Sequence, residues 1–260
     1  MVGYVRELVR YRYLIYVFTA RDLLARYKQT FIGILWAIIQ PLFLMLVFTV
    51  IFAKFLGVST GGVPYPVFSY VALLPWTFMN RAISASSESL LNFKHLITKI
   101  YFPREVAPLS VVVSSFVDFG IGFFVFLLMM VYYHVPLTWN FLFILLLIPL
   151  QIIFAAGLAL FLSSVTVIVQ DLKFALPLFM QIWMYGTPII YSVTNIKSSL
   201  KVLFYFNPLV GIIEGYRQTI LLGKPPLWDF LAISTIFSLL FFVFGYWVFK
   251  KLEPYVIDII

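Results

Sequence analysis

Long uncharged runs alternate with short polar stretches along the whole chain. No charged residue lies between Lys28 and Lys54, and residues 119–170 contain no Lys, Arg, Asp or Glu. A helix needs about 20 apolar residues to cross the hydrocarbon core of a bilayer. With turn-forming breaks at 57–66 and 135–138, the pattern predicts an all-α integral membrane protein with six transmembrane helices. They are residues 31–52, 67–91, 105–133, the stretch from the second break to 170, 174 to about 191 with its end around 186–188, and 229–249.

Residues 192–228 do not fit a further crossing. The uncharged run at 202–213 is 12 residues long, and apolar runs of about 10–14 residues are too short to span and favour re-entrant or interfacial segments. We therefore predict a re-entrant pair of half-helices before the last span, with Asn207 and Pro208 as the hinge. The whole chain, 1–260, is predicted to form one transmembrane domain, with spans one to five inside 31–191.

Composition and charge support this reading. Hydrophobic residues make up 63% of the chain and charged residues 11%, too few polar side chains to cover a water-facing globule of this length. Twelve Lys and Arg residues fall in the segments predicted on one side and five on the other. The positive-inside rule then places both termini in the cytoplasm. The N-terminus lacks the pattern of a cleaved signal peptide.

Residues 1–28 combine an apolar stripe with basic residues at helical spacing, which predicts an amphipathic helix on the cytoplasmic membrane surface. One interpretation is a simple anchor to anionic lipid. The other is that three basic residues just before the first span capture the phosphate-bearing head group of a lipid substrate. Those residues are Arg21, Arg26 and Lys28.

A polar loop, residues 92–104, joins the second and third predicted spans, and Pro103 would end any helix within it. A short amphipathic helix here would give a soluble partner a docking knob, although a plain connector fits the composition equally well. We name the candidate residues the coupling segment: Asn92, Phe93, Lys94, His95, Leu96, Ile97, Thr98 and Lys99.

Two further groups lie within the predicted spans. Arg81 and Asp118 fall at comparable depth in the second and third spans, where they either form a structural ion pair or mark a functional site. Aromatic residues make up 20% of the chain, and rings with a polar edge can let a sugar chain slide past. The candidates for a pore lining are Trp36, Phe43, Tyr70, Trp76, Phe78, Trp183, Tyr185 and Tyr191.

Missing residue types narrow the chemistry. The chain has no cysteine, which excludes disulfides and thiolate catalysis, and its two histidines make a metal site a minor possibility. No G-x-x-x-x-G-K-[ST] phosphate loop occurs, so ATP and Mg²⁺ would be bound by another subunit and this chain would hold no cofactor.

The run from Arg21 to Leu42, RDLLARYKQTFIGILWAIIQPL, closely resembles the opening of the permease subunits of polysaccharide-exporting ABC transporters. Further similar stretches are YFPRE at 101–105, TPIIY at 187–191, NPL at 207–209 and EGYR at 214–217. The resemblance covers nearly the whole chain. This class of permeases includes the exporters of O-antigen, capsular polysaccharide and wall teichoic acid.

The resemblance implies a homodimer in the bacterial inner membrane, associated with two ABC ATPase subunits and with no nucleic acid. It implies export of an undecaprenyl-pyrophosphate-linked polysaccharide from cytoplasm to periplasm. It also favours coupling for residues 92–99 and a phosphate-facing role for the three basic residues. Alternatives are a drug or small-lipid exporter, a membrane-embedded lipid-glycan enzyme, and a passive channel or scaffold.

Overall fold

The computed structural model describes residues 10–28, 30–195 and 198–259, and every regular element in these ranges is helical. The first nine residues of the predicted interface helix, and residues 196 and 197 of the predicted re-entrant segment, lie outside them. The helices are α1 Arg12–Tyr27, α2 Trp36–Phe48, α3 Tyr65–Ser87, α4 Ser89–Asn92, α5 Lys94–Ile97, α6 Val106–Tyr132, α7 Ile144–Ile168, α8 Leu172–Tyr185, α9 Ser198–Tyr205, α10 Leu209–Tyr216 and α11 Trp228–Ile259.

Short 3₁₀ and π-helical turns lie directly before or after several of these helices. Tighter 3₁₀ turns at Gly33–Leu35 and Trp139–Phe143 precede α2 and α7, and a third, Val193–Asn195, precedes α9. Wider π-helical turns, Thr49–Phe55 and Arg217–Leu221, extend α2 and α10.

Four helical stretches in the described ranges are long and apolar enough to cross a membrane. They are Gly33–Phe55, Val106–Tyr132, Trp139–Ile168 and Trp228–Val256. They coincide with the first, third, fourth and sixth predicted spans. The second and fifth correspond to α3, which contains Arg81, and to α8, so six crossings remain a prediction.

Helix α8 ends next to the helix-breaking residues that the sequence places at the end of the fifth span. The apolar run continues to about residue 191, but the span is predicted to end around 186–188, and α8 ends at Tyr185 after 14 residues, about 21 Å at 1.5 Å per residue. Gly186 and Pro188 follow immediately, and both residue types disfavour continuation of a helix. The chain instead turns through residues 186–192.

Helix α3 forms the centre of the fold. Most of its residues are buried, and it packs against α2, α6, α7, α8 and α10. Its side chains make up much of the largest apolar cluster, which joins rings such as Phe119 and Phe126 of α6 to Phe154 of α7. The surrounding helices are therefore positioned by contacts with α3.

Helices α7 and α11 approach each other closely at a pair of glycines. A Cβ atom on Gly157 would lie 2.6 Å from the Cα of Phe242, and a Cβ on Gly245 would collide with the backbone of Gly157. Neither position has room for a side chain. This contact makes α7 and α11 one packed unit through the middle of their length.

A second apolar cluster gathers the helix ends around the coupling segment. It includes Phe18 of α1, Phe93 and Phe102 of the loop, and Phe249 of α11. Beside this cluster, Lys250 forms an ion pair with the buried carboxylate of Glu105. The Lys250 Nζ atom also lies 3.0 Å from Oε2 of Glu253. Glu253 also pairs with Arg104 at 3.4 Å. The carboxyl-terminal part of α11 thus holds the end of the loop and the start of α6.

Two short helices, α9 and α10, occupy the predicted re-entrant region, and the break between them falls at Asn207 and Pro208, the predicted hinge. The Asn207 Oδ1 atom accepts hydrogen bonds from the Leu209 backbone N–H and the Trp183 ring nitrogen, both at 3.1 Å. Helix α10 is wholly buried. Whether the pair enters the bilayer remains a prediction.

The Arg217 side chain fixes the turn after α8. It is 1% exposed and donates hydrogen bonds to the backbone carbonyls of Pro188, Ile189 and Tyr191, the last at 2.7 Å. It also contacts the fully buried Glu214 carboxylate at 3.2 Å. These bonds satisfy carbonyl groups that no helix satisfies, so the TPIIY turn is anchored to the start of the π-helical turn that follows α10.

Candidate functional site

The coupling segment forms a compact protrusion between α3 and α6. It contains the end of α4 and all of α5, with the backbone N–H of Phe93 bonded to the Ser89 carbonyl at 3.0 Å. Its polar side chains are exposed, and Leu96 and Ile97 are half-buried. The exposed set is Asn92, Lys94, His95, Thr98 and Lys99.

One buried ring anchors the coupling segment to α1. The Phe93 ring stacks on Phe18 with centroids 4.4 Å apart, and the Arg21 guanidinium lies 4.9 Å from the centroid of Phe93. Phe102 meets Phe18 edge-on at 5.4 Å. Aromatic pairs of this geometry contribute about 0.5–1.5 kcal/mol beyond their buried area. The loop is therefore held at its base, while its outer surface is open to a partner.

The structure brings Arg81 and Asp118 together, but within a larger group. The Arg81 Nε lies 3.0 Å from Asp118 Oδ2, and Arg26 Nη1 lies 2.5 Å from the same oxygen. Asp22 Oδ2 is 2.9 Å from Arg26 and 3.7 Å from Arg81. We call these four residues the charge cluster; it joins α1, α3 and α6, and its formal charges cancel.

Tyr27 completes the charge cluster. Its hydroxyl donates a hydrogen bond to Asp118 Oδ1 at 2.9 Å. Burial, reinforced by the Asp118 carboxylate, raises the pKa of Tyr27 above its ordinary value. The hydroxyl therefore stays protonated at neutral pH and remains a donor.

Polar contacts tie α1 lengthwise along α6. Thr19 Oγ1 donates to the Ser110 carbonyl at 3.2 Å, and Ser114 Oγ donates to Asp22 Oδ2 at 2.6 Å. Together with the Arg26–Asp118 pair, the contacts advance along both helices in the same direction. The sequence pattern predicts α1 as a helix lying flat on the membrane; in the structure it follows the first turns of α6.

The three basic residues predicted to face a phosphate do not share one environment. Arg26 is engaged by the charge cluster. Arg21 and Lys28 are both exposed, two turns apart, and line one open groove of about 670 Å³ on α1 with Leu24. We call this the basic groove. Sequence reasoning missed Asp22, although its spacing of four residues from Arg26 is that of a helical ion pair.

The predicted pore aromatics divide by location. Tyr70, Trp76 and Phe78 lie on α3, are at most 3% exposed, and serve as packing in the core of the chain. Phe43 and Tyr185, at 66% and 55% exposed, lie on the surface of the chain. Trp36 is at the surface too, whereas Trp183 and Tyr191 are half-buried.

Four helical stretches in the described ranges are long and apolar enough to cross a membrane, and the loop with the exposed polar surface is anchored at its base; these features define the class as a multi-pass membrane protein. The chain matches the ABC-2 type transporter family over residues 13–221. It belongs to this family, and the resemblance read from the sequence motifs is confirmed.

Curated relatives align over most of the chain. An O-antigen export system permease protein RfbA from Myxococcus xanthus is 28% identical over 243 residues, covering 91% of this chain and 92% of its own length. A protein of the same name from Klebsiella pneumoniae is 27% identical, with 92% of each chain covered. The polysialic acid transport protein KpsM of Escherichia coli is 23% identical, covering 84% of this chain and 86% of itself.

Proposed function

We propose that this chain is the membrane-spanning subunit of an ATP-driven exporter that moves an undecaprenyl-pyrophosphate-linked polysaccharide from cytoplasm to periplasm. Family membership and the names of the aligned relatives support a polysaccharide-exporting permease. In this proposal two copies cross a bacterial inner membrane with both termini in the cytoplasm. Each copy has six spans, α3 and α8 being the second and fifth. ATP and Mg²⁺ are bound by two separate ATPase subunits.

The observation that carries the proposal is the coupling segment. Its polar side chains are exposed, while Phe93 is held between the ring of Phe18 and the guanidinium of Arg21. A short helix that is fixed at its base and exposed to solvent can bind in a groove of a partner protein, here the ATPase subunit. Movement of the ATPase would therefore displace the ends of α3 and α6 together.

The basic groove is the proposed entry site for the lipid head group. Arg21 and Lys28 present two positive charges that form no ion pair with any carboxylate in the described ranges, and both residue types bind phosphates. Arg26, predicted from sequence to share this role, instead holds α1 against α6 through Asp118. Its contribution would be to position the groove.

The test is export by a coupling-segment variant in a strain lacking the native gene. Replacing Lys94, Leu96 and Ile97 together by alanine should abolish surface polysaccharide and leave lipid-linked glycan in the cytoplasm, with the protein still in the membrane. The matched control replaces one lysine and two aliphatic residues at the end of the first candidate span and just after it, Lys54, Leu56 and Val58. Normal export by the first variant would refute the coupling role. Failure to co-purify with a phosphate-loop ATPase would refute the exporter itself.

A further inference from the structure

One face of the otherwise buried α3 carries polar side chains. Thr77, Asn80, Arg81 and Ser84 follow helical spacing, and all four are half-buried or exposed. We call them the polar stripe. If α3 crosses the membrane as proposed, amide, hydroxyl and guanidinium groups on this face cannot be left against lipid without a large free-energy cost. The polar stripe therefore faces water or a polar ligand.

The polar stripe lines a cavity of about 450 Å³ between α2, α3 and α6. Gln40 of α2, which is exposed, lines it from the opposite side, and Ser115 from α6. Cavities that bind small molecules have volumes of about 300–1,000 Å³. This cavity thus has the size of a binding site and a lining of hydrogen-bonding groups.

The charges around the cavity decide the chemical class of its ligand. Arg81 and Asp118 line it directly, and Asp22 and Arg26 complete the charge cluster. Two arginines and two carboxylates sum to zero, so a phosphate would gain no net attraction and would meet Asp118 as a like charge. A neutral polyol, in contrast, can bond to donors and acceptors of both kinds.

Individual groups keep hydrogen-bonding capacity for such a ligand. The Asn80 Oδ1 atom accepts from the Ser84 hydroxyl at 3.4 Å, which leaves the Asn80 amide hydrogens as donors. The Thr77 hydroxyl donates to the Leu74 carbonyl at 3.0 Å, so its oxygen remains an acceptor. Side-chain amides and hydroxyls of this kind match the hydroxyl groups of a sugar.

We propose that this cavity binds the sugar next to the diphosphate of the lipid-linked glycan. The inference rests on the proposed function, in which the phosphates lie in the basic groove. Tyr27 lines the cavity and its chain neighbour Lys28 lines the basic groove. In the proposal, a substrate with its diphosphate at Lys28 extends its first sugar past Tyr27 into the cavity.

The experiment uses the permease reconstituted in liposomes with its ATPase, and two probes. One is undecaprenyl diphosphate without sugar; the other is the same lipid carrying the glycan. ATP hydrolysis is measured against the concentration of each. The variants N80L and Q40L remove amides on two different helices, so the test does not depend on the folding of one variant. T77V is paired with T235V, because both hydroxyls bond their own helix backbone and Thr235 is outside the cavity.

We expect N80L and Q40L each to raise the half-saturating concentration of the glycan-bearing lipid about tenfold, the equivalent of one or two lost hydrogen bonds. The response to the sugar-free lipid should stay unchanged, which also shows that the variants are folded. T77V should have a smaller effect of the same kind, and T235V none.

Two results would overturn the sugar site while leaving the exporter intact. One is an equal shift for both probes, which would indicate a phosphate site or a general distortion. The other is no shift for the glycan-bearing lipid in any cavity variant. If neither lipid stimulates the unaltered protein and its ATPase, the proposed function fails, and the sugar site with it.

Discussion

Replacing the buried Arg217 by methionine tests how the turn after α8 is held. The guanidinium bonds to the carbonyls of Pro188, Ile189 and Tyr191 and pairs with Glu214. Methionine fills similar space but donates no hydrogen bond. The variant R217M therefore leaves three carbonyls without these donors and a carboxylate with no counter-charge.

The expected loss follows from the burial of Glu214, which is 0% exposed. Removing one partner of a buried ion pair costs about 3–5 kcal/mol, because the remaining charge is uncompensated. The double variant E214Q/R217M removes that charge while retaining an acceptor for the Val193 backbone N–H, which bonds to Glu214 Oε1 at 2.9 Å. It should recover about 2 kcal/mol, and the remainder reflects the carbonyl groups.

Thermal unfolding in detergent, followed by tryptophan fluorescence, measures these differences. For a chain of this size R217M should lower Tm by on the order of 10 °C, and E214Q/R217M by about half as much. The matched control is R104M, which breaks the partly exposed pair with Glu253 at 3.4 Å and should cost about 1 kcal/mol or less. A Tm for R217M within the error of the unaltered protein would refute the buried pair, as would a double variant no more stable than R217M.

Three further variants test the charge cluster and the packing. D118N should loosen α1 from α6 and increase protease cleavage in residues 28–33, since the two arginines lose their shared acceptor; unchanged cleavage would contradict this. Exchanging the charges of Arg81 and Asp118 should not rescue the single reversals, measured as export, because the new arginine would face Arg26; full rescue would show an isolated pair. G157A should lower stability by about 1–3 kcal/mol through overpacking against Phe242, measured as Tm, whereas an equal Tm would disprove the close approach.

The helices are predictable from the sequence because their signals are local. An uncharged run of 20 residues must be helical in lipid, where every backbone group needs an internal partner. Asn207 and Pro208 likewise mark the break between α9 and α10. The predicted fifth span ends near Gly186 and Pro188, where the sequence marks its end, although apolar residues continue to 191; α8 stops at Tyr185.

The site was only partly predictable because its contacts join distant parts of the chain. Arg81 and Asp118 could be paired from depth alone, as two charges in neighbouring spans. Arg26 joins the charge cluster because α1 lies along α6, which brings it to Asp118, 92 positions further along the sequence. The hydrophobic periodicity of the sequence does not predict this packing. Aromatic content likewise does not distinguish a ring in the core, such as Tyr70, from one at the surface, such as Phe43.

The ion pairs at the end of α11 have a practical consequence for work on this protein. Glu105 is completely buried, and the Lys250 ammonium is its partner from the last turns of the chain. Removing the residues from Lys250 onward would therefore leave the buried Glu105 carboxylate without this ion-pair partner. Affinity tags should for this reason leave Lys250 and Glu253 in place.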